Sequence, residues 1–311
     1  LYFQPHNFTR LIKKYLTDLT LIGVAVIWAL NFSVVKIALN EFDPYSFNAI
    51  RFFLAFALLY YAAKRKGFSL KVKKEHFWAL VGIGLIGNLL YQMLFIVGIN
   101  LTKAANASVM LGTIPIWVAL LSQFFTDEKL TIVKSIGVLF AFSGVALIVA
   151  GGNNEISFQS ETFLGDIITI ISAIVWAVYT ILSRKYLKFY NSTQFSAFMA
   201  LIGFICLSLI GLPSLVQIDW SSISPQAYGG VLYSGTLSVG IAYLIWNNGI
   251  VKIGAVRTAT YQNLVPVLGL VFGVIILDEV LTLFQYIGAL SVIAGIVMAR
   301  LPVSLYRGKI N

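Results

Sequence analysis

Asn88, Tyr91 and Gln92 sit close together in an otherwise apolar run, and Asn88 and Gln92, four residues apart, share one face of a helix. Carboxamides and a phenol in such a setting donate and accept hydrogen bonds where little water competes, which suits holding a small polar solute. Similar groups recur inside other apolar runs: Asn31 with Ser33, Ser108 with Thr113, and Tyr179 with Thr180. Tyr243, Trp246 and Asn247 follow, and then Thr260, Tyr261, Gln262 and Asn263. Asn and Gln are costly when they face lipid, so their clustering points to a shared polar interior; any one of them alone could equally be interhelical glue worth about 0.6 kcal/mol. The tyrosines and Trp246 would give that interior an aromatic lining able to take an apolar or cationic group.

The charges nearest the apolar zone are Lys36, Arg51, Lys103, Arg184 and Arg257. Lys36, Arg184 and Arg257 are candidates for anion binding or gating, and long basic side chains near helix ends also snorkel to lipid headgroups. No Asp or Glu falls in the middle of an apolar run, so a carboxylate-centred proton relay lacks an obvious residue. Enzymatic chemistry is not expected, since the chain offers no credible triad and no phosphate-cradling loop. Two histidines, His6 and His76, and the single Cys206 have no metal-ligand spacing, so neither a metal nor another cofactor is expected.

The elements that must position these groups follow from composition. Of the 311 residues, 59% are hydrophobic, 14% aromatic and 11% charged, and the mean hydropathy is +0.88. Soluble domains carry about 25% charged residues, so an all-α integral membrane protein is expected. Ten segments reach the roughly 20 apolar residues that a span requires: 19 to 38, 45 to 63, 77 to 99, 104 to 125, 131 to 150, 164 to 184, 193 to 212, 227 to 248, 255 to 277 and 282 to 300. Runs this long satisfy their backbone as helices rather than as barrel strands. Leu1 to Gln4 resemble the remnant of a protease-site tag, and no cleavable signal peptide is expected ahead of the first span.

Charge orients the bundle. With the N-terminus in the cytoplasm, all but Lys36, Arg51 and Lys103 of the 22 Lys and Arg fall on the inner side, so both termini are expected to be cytoplasmic, in the plasma membrane. The net charge of +10 is therefore a topology signal and a contact with anionic headgroups of the bilayer, not a footprint for nucleic acid.

Two stretches share one skeleton. PIWVALLSQFFTDEKLT runs from Pro115 to Thr131, and PVLGLVFGVIILDEVLT runs from Pro266 to Thr282, 151 residues later. The offset also joins Gly84 to Gly235, Gly98 to Gly249, Gly137 to Gly288 and Gly144 to Gly295, while Trp28-Ala29 matches Trp176-Ala177 at an offset of 148. The chain thus divides into an N-terminal tail (1–18), a first five-span repeat (19–150), an extracytoplasmic linker (151–163), a second repeat (164–301) and a C-terminal tail (302–311). Five is odd, so the second copy enters the membrane from the opposite side, giving two inverted five-helix repeats and ten transmembrane helices. Pro115 and Pro266 fall near mid-span, where they free a backbone carbonyl and act as kinks or hinges beside a cavity. Thr131 and Thr282 are expected helix N-caps, with Asp127-Glu128 and Asp278-Glu279 just ahead complementing the helix dipoles at the membrane surface.

A Trp-Ala dipeptide in the first span of each copy, a mid-span proline in the fourth, and an acid-x-Leu-Thr before a glycine-containing fifth resemble the EamA family of the drug/metabolite transporter superfamily, over roughly residues 19 to 301. That resemblance implies a ten-helix carrier with a central cavity, usually exporting amino acids or similar small metabolites. Inverted repeats would let the cavity open alternately to each side. The runner-up is an organic-anion, phosphate or sugar-conjugate exchanger that uses the basic residues; a channel-like pore is the alternative from another class. The partners expected are a small-molecule substrate and the lipid bilayer, with a monomer plausible.

Overall fold

The computed structural model describes residues 5–102, 107, 110–126, 131–150, 160–277 and 281–300, and these are helical throughout apart from short connections. The helices are α1 (Pro5–Leu39), α2 (Pro44–Arg65), α3 (Lys74–Gly84), α4 (Tyr91–Leu101), α5 (Ile114–Phe125) and α6 (Ile132–Ala150), then α7 (Ser160–Tyr186), α8 (Ser192–Leu215), α9 (Pro225–Tyr233), α10 (Ala242–Ile253), α11 (Ala255–Thr260), α12 (Leu264–Leu277) and α13 (Leu283–Arg300). A π-helical stretch, Leu85–Leu90, joins α3 to α4, and a second, Ser234–Ile241, joins α9 to α10. A 3₁₀ turn, Tyr261–Asn263, separates α11 from α12.

Among the described residues, six helical stretches are long and apolar enough to cross a membrane: Tyr15–Leu39, Pro44–Arg65, Lys74–Leu101, Phe163–Tyr186, Ser192–Leu215 and Pro225–Ile253. Met110–Phe125, Ile132–Ile148 and Leu283–Ala299 are shorter apolar helices. The expected ninth span, 255 to 277, is not one rod but the succession of α11, the 3₁₀ turn and α12. At the ends, α1 extends back to Pro5 and α7 begins at Ser160, so helix reaches into the segments expected as tail and linker. Outward-facing leucines such as Leu209 and Leu290 are about as exposed as a surface residue can be, at 70% and 68%. Apolar surface on this scale needs lipid to cover it.

Local chemistry sets the boundaries. The Asp43 carboxylate caps α2, accepting from the backbone N–H of Tyr45 at 2.8 Å and of Ser46, with Pro44 at the first helical position. Gly67, at φ 75°, closes the other end of α2: its N–H reaches Lys64 O at 3.0 Å, and the Phe68 N–H reaches Ala63 O at 2.9 Å. Thr131 Oγ1 accepts from the Lys134 N–H at 3.3 Å, as expected of an N-cap. At α13 the cap is reciprocal, with Gln285 N–H donating to Thr282 Oγ1 at 3.3 Å and Thr282 N–H donating to Gln285 Oε1 at 2.9 Å. Thr282→Ala is expected to cost about 1 kcal/mol while Thr282→Ser leaves stability nearly unchanged; thermal unfolding of the two variants compares them directly. The acid pairs ahead of both caps lie outside the described residues.

Packing places long helices in pairs. α13 lies along α6 and α2 along α8, while α4 packs on α7 and α1 on α9. The first of these pairs is close enough to be set by glycine. A Cβ on Gly144 would stand 2.6 Å from Gly288 O, and one on Gly295 would stand 2.5 Å from Gly137 O. Backbone therefore meets backbone across this interface, as small residues permit between membrane helices.

The two ends of the bundle differ in charge. At one end the loop at 66–73 meets the loop before α8: Lys73 N–H donates to Tyr190 Oη at 3.1 Å, and Gln194 Nε2 donates to the carbonyls of Ser69 and Lys71 at 2.7 and 3.0 Å. Lys64, Arg65, Lys66, Lys71 and Lys74 gather here. At the other end the Glu41 carboxylate accepts from both the hydroxyl and the N–H of Ser224, each at 2.6 Å, beside Asp43 and Asp219. Those two Ser224 bonds hold the Glu41 carboxyl below the usual carboxylate range.

Candidate binding cavity

Between α1, α2, α4, α7, α10 and the start of α12 lies a cavity enclosing, with its mouth, about 660 Å³ of unfilled space. Six of the candidates, Asn31, Tyr91, Gln92, Tyr243, Gln262 and Pro266, line it together with Trp28 and Trp176. Gln92 and Tyr243 meet directly, the Gln92 Nε2 donating to Tyr243 Oη at 2.6 Å between buried groups. Gln92 and Tyr243 are separated by 151 residues, the offset of the duplicated sequence.

The wall is aromatic. Trp176 is 1% exposed and centres a cluster in which Tyr91 lies 4.7 Å, Tyr179 5.0 Å, Tyr243 5.0 Å, Trp246 5.9 Å and Trp28 6.1 Å from it, ring to ring. Edge-on and tilted arrangements at these separations are worth about 0.5–1.5 kcal/mol per pair beyond burial. Trp28 donates its indole N–H to the Ser238 carbonyl at 3.1 Å, within the second π-helical stretch. A π turn loosens the regular ladder of an α-helix, and such turns recur at functional sites.

Against this wall stand polar atoms without partners. Asn31 Oδ1, Gln92 Oε1 and Gln262 Oε1 are buried and accept no hydrogen bond from the described residues. A buried unsatisfied acceptor costs about 1–3 kcal/mol. The arrangement leaves three buried acceptors in residues that line an aromatic slot without a donor from the described residues.

The remaining candidates are placed elsewhere. Ser33 is exposed, about 200° around α1 from Asn31, because two helical residues turn by that amount. Asn88 is buried and donates to the Met199 carbonyl at 3.1 Å, which pins α8 to the π-helical stretch. Asn247 bridges Ser196 Oγ at 2.9 Å and Tyr179 Oη at 3.3 Å, and Trp246 backs the wall without lining the cavity. Thr180 and Asn263 are fully buried off the cavity, and Thr260 Oγ1 turns back to the Arg257 carbonyl at 2.8 Å. Tyr261 reaches away from the cavity to donate its hydroxyl to Asp18 Oδ1 at 2.9 Å.

Thr113 marks a break rather than a binding position. Its hydroxyl donates to the Met110 carbonyl at 2.6 Å and accepts from Trp117 Nε1 at 3.1 Å. Pro115 is correspondingly in the first turn of α5, and Pro266 is near the start of α12 just past the 3₁₀ turn. Pro115 thus lies in a first turn, where a missing N–H costs little, and Pro266 stands three residues past a 3₁₀ turn that interrupts the α-helical ladder. Arg184 donates from Nη1 to Thr126 Oγ1 at 3.2 Å in a separate groove beside Lys185 and Lys188. Arg257 is half-buried and does not line the cavity. Ser108 and the Lys36 side chain lie outside the described residues.

Arg51 does line the cavity, and the sequence reading gave it no site role. The available signal was its exception to the charge bias: a basic residue in the second turn of an apolar helix, on the side otherwise poor in Lys and Arg. Phe95, Leu111, Gly112, Ser238 and Val265 complete the lining. Their sequence carries no comparable signal, because apolar and small residues look alike whether they face lipid or a cavity.

Comparison with known proteins agrees with this architecture. The sequence profile of the EamA-like transporter family matches residues 15–150 and 163–301. An uncharacterized transporter of Archaeoglobus fulgidus is 32% identical over 281 residues, covering 90% of this chain and 96% of its own. The uncharacterized transporter YyaM of Bacillus subtilis is 28% identical over 280 residues, covering 90% and 92%. A probable amino-acid metabolite efflux pump of Escherichia coli is 28% identical over 289 residues, covering 88% and 91%. One solved crystal structure has the same fold, with a TM-score of 0.74 at 22% identity over 94% of this chain and 96% of the other.

Proposed function

Because the chain belongs to the EamA-like transporter family, and is therefore an integral membrane transporter and not an enzyme, we propose that it exports amino acids or similar amphipathic metabolites through the central cavity. The observation that carries this reading is the cavity itself: an aromatic slot with open acceptors at Asn31, Gln92 and Gln262. Those acceptors suit an ammonium group, and the rings suit an apolar side chain. The similarity to a probable amino-acid metabolite efflux pump supports the same class of solute.

The carrier works by alternating access between two inverted five-helix repeats, with ten spans and both termini in the cytoplasm. Contacts between positions equivalent by sequence support this. Gln92 bonds to Tyr243, Trp28 packs on Trp176, and Gly144 meets Gly288 as Gly137 meets Gly295. A two-fold relation requires positions on its axis to touch their own equivalents, and off-axis contacts to come in matched pairs. The lysine-rich end of the bundle is the cytoplasmic one on the positive-inside rule. Of the basic residues named for the exchanger alternative, neither Arg184 nor Arg257 lines the cavity, and the Lys36 side chain lies outside the described residues.

Reconstituted in proteoliposomes and preloaded with a neutral amino acid such as L-phenylalanine, the protein is expected to give saturable counterflow of labelled substrate. Tyr91→Ala and Gln92→Ala are each expected to reduce the rate at least about 10-fold, corresponding to 1.4 kcal/mol, with both variants still folded. A non-saturating ion current would replace the carrier with a channel; undiminished flux in both variants would move the path out of this cavity.

A further inference from the structure

Among the described residues, Arg51 is the one cationic side chain in the cavity wall, and it is 2% exposed. Its Nε and Nη1 have no hydrogen-bond partner among the described residues, and no described carboxylate pairs with it. The guanidinium carbon lies 5.4 Å from the Phe47 ring and 5.9 Å from the Phe52 ring. Cation–π contacts of this kind recover part of the desolvation cost but leave the N–H edge unfilled. A buried charge without a counter-charge is expensive, and an arginine cannot escape by giving up its proton. A charge kept on these terms inside a membrane marks a functional position.

Geometry defines what would fill the edge. The planar guanidinium presents two N–H edges, Nε with Nη2 and Nη1 with Nη2, each holding one of the unpartnered donors; either edge matches the two oxygens of a carboxylate in a bidentate pair, a match that a lysine ammonium does not offer. The remaining described wall is carboxamides, aromatic rings, Ser238 and small or aliphatic residues, which supply no competing anion.

We propose that Arg51 is the anion anchor of the central cavity, receiving the carboxylate of a substrate whose apolar or aromatic body lies against Trp28, Trp176 and Tyr243. This rests on the cavity being the transport site, and it narrows the substrates to carboxylates: the ammonium group of an amino acid is dispensable, the carboxylate is not. It also gives the two halves unequal roles, since among the described residues only the first supplies a charge to the cavity.

The test uses a matched pair of probes, 3-phenylpropionate and 3-phenylpropionamide, which differ only at the carboxyl end. Binding to the purified full-length protein is read by titration of thermal stabilisation. The acid is expected to bind wild type about 10- to 100-fold more tightly than the amide, the span of one charge-assisted bidentate contact. Arg51→Leu is expected to melt at or above the wild-type temperature without ligand, because an unpaired charge has been removed, and to bind acid and amide alike. Arg51→Lys keeps a charge without the fork and is expected to retain a reduced preference for the acid.

Equal binding of acid and amide by wild type, or an undiminished acid preference in Arg51→Leu, would overturn the assignment. Either result accompanied by saturable L-phenylalanine counterflow leaves the carrier reading standing and removes only the anchor. Absence of both counterflow and any probe binding overturns the two together.

Discussion

Gly144→Ala is expected to destabilise the protein by about 2–3 kcal/mol, in the upper part of the range for overpacking a tight interior. The new methyl group would stand 2.6 Å from Gly288 O and 2.7 Å from Val292 N, both backbone atoms that no side-chain rotation can move. Alanine is otherwise the better helix former by about 0.8–1.0 kcal/mol, so destabilisation here means that close approach outweighs propensity. Gly23 supplies the control, because a Cβ there meets nothing within 4 Å. Gly23→Ala should therefore be neutral or stabilising. Denaturation of the two variants in the same micelles separates the effects; equal and small shifts in both would show that α6 and α13 can move apart without penalty.

Trp176→Ala is expected to cost about 3–5 kcal/mol, the range for deleting a large buried aromatic side chain. It removes ring contacts to Trp28, Tyr91, Tyr179, Tyr243 and Trp246 at once. Trp28→Ala is expected to cost less, since Trp28 is only half-buried, although it also frees the Ser238 carbonyl. The two tryptophans match in the duplicated sequence but not in environment: the Trp176 indole N–H is buried with no partner among the described residues, whereas that of Trp28 is bonded. Trp176→Phe therefore keeps the aromatic core and removes an unsatisfied donor, and should be far milder than Trp176→Ala. Urea or SDS unfolding of the three variants gives the order; a Trp28→Ala loss exceeding that of Trp176→Ala would mean that the cluster is centred on the other ring.

Of the ten expected spans, apolar length marked six that are long enough to cross a membrane among the described residues, because a run of about 20 residues with little charge has few other structural solutions. Thr131 and Thr282 were legible as caps for a similarly local reason: their partners are three residues away. In the ninth segment Pro266 signals an irregularity, but hydropathy is blind to its form, a 3₁₀ turn at Tyr261–Asn263, all of whose residues are compatible with a helix. The π-helical stretches were equally hidden; Gly84 directly precedes the first and Gly235 lies at the start of the second, yet glycine in a membrane helix more often signals close packing.

Within the site, the reading found the polar and aromatic types but could not sort cavity from core. Asn88 and Gln92 share a helix face, and only Gln92 lines the cavity while Asn88 is consumed by the Met199 carbonyl. That division depends on which neighbour arrives over each side chain, which is tertiary information. Arg51 was visible throughout as an outlier in the charge distribution, and treating it as topology noise left its position unexplained.

The Gln92–Tyr243 bond has one further consequence for how such a molecule would move. When two halves trade shapes, a contact between unlike positions must break on one side and be remade on the other, whereas a contact between equivalent positions is carried onto itself. The 2.6 Å bond would therefore have the same partners before and after the exchange. It would behave as a fulcrum, staying closed while the helices on either side tilt about it, and the solute would cross the membrane past a joint that never opens.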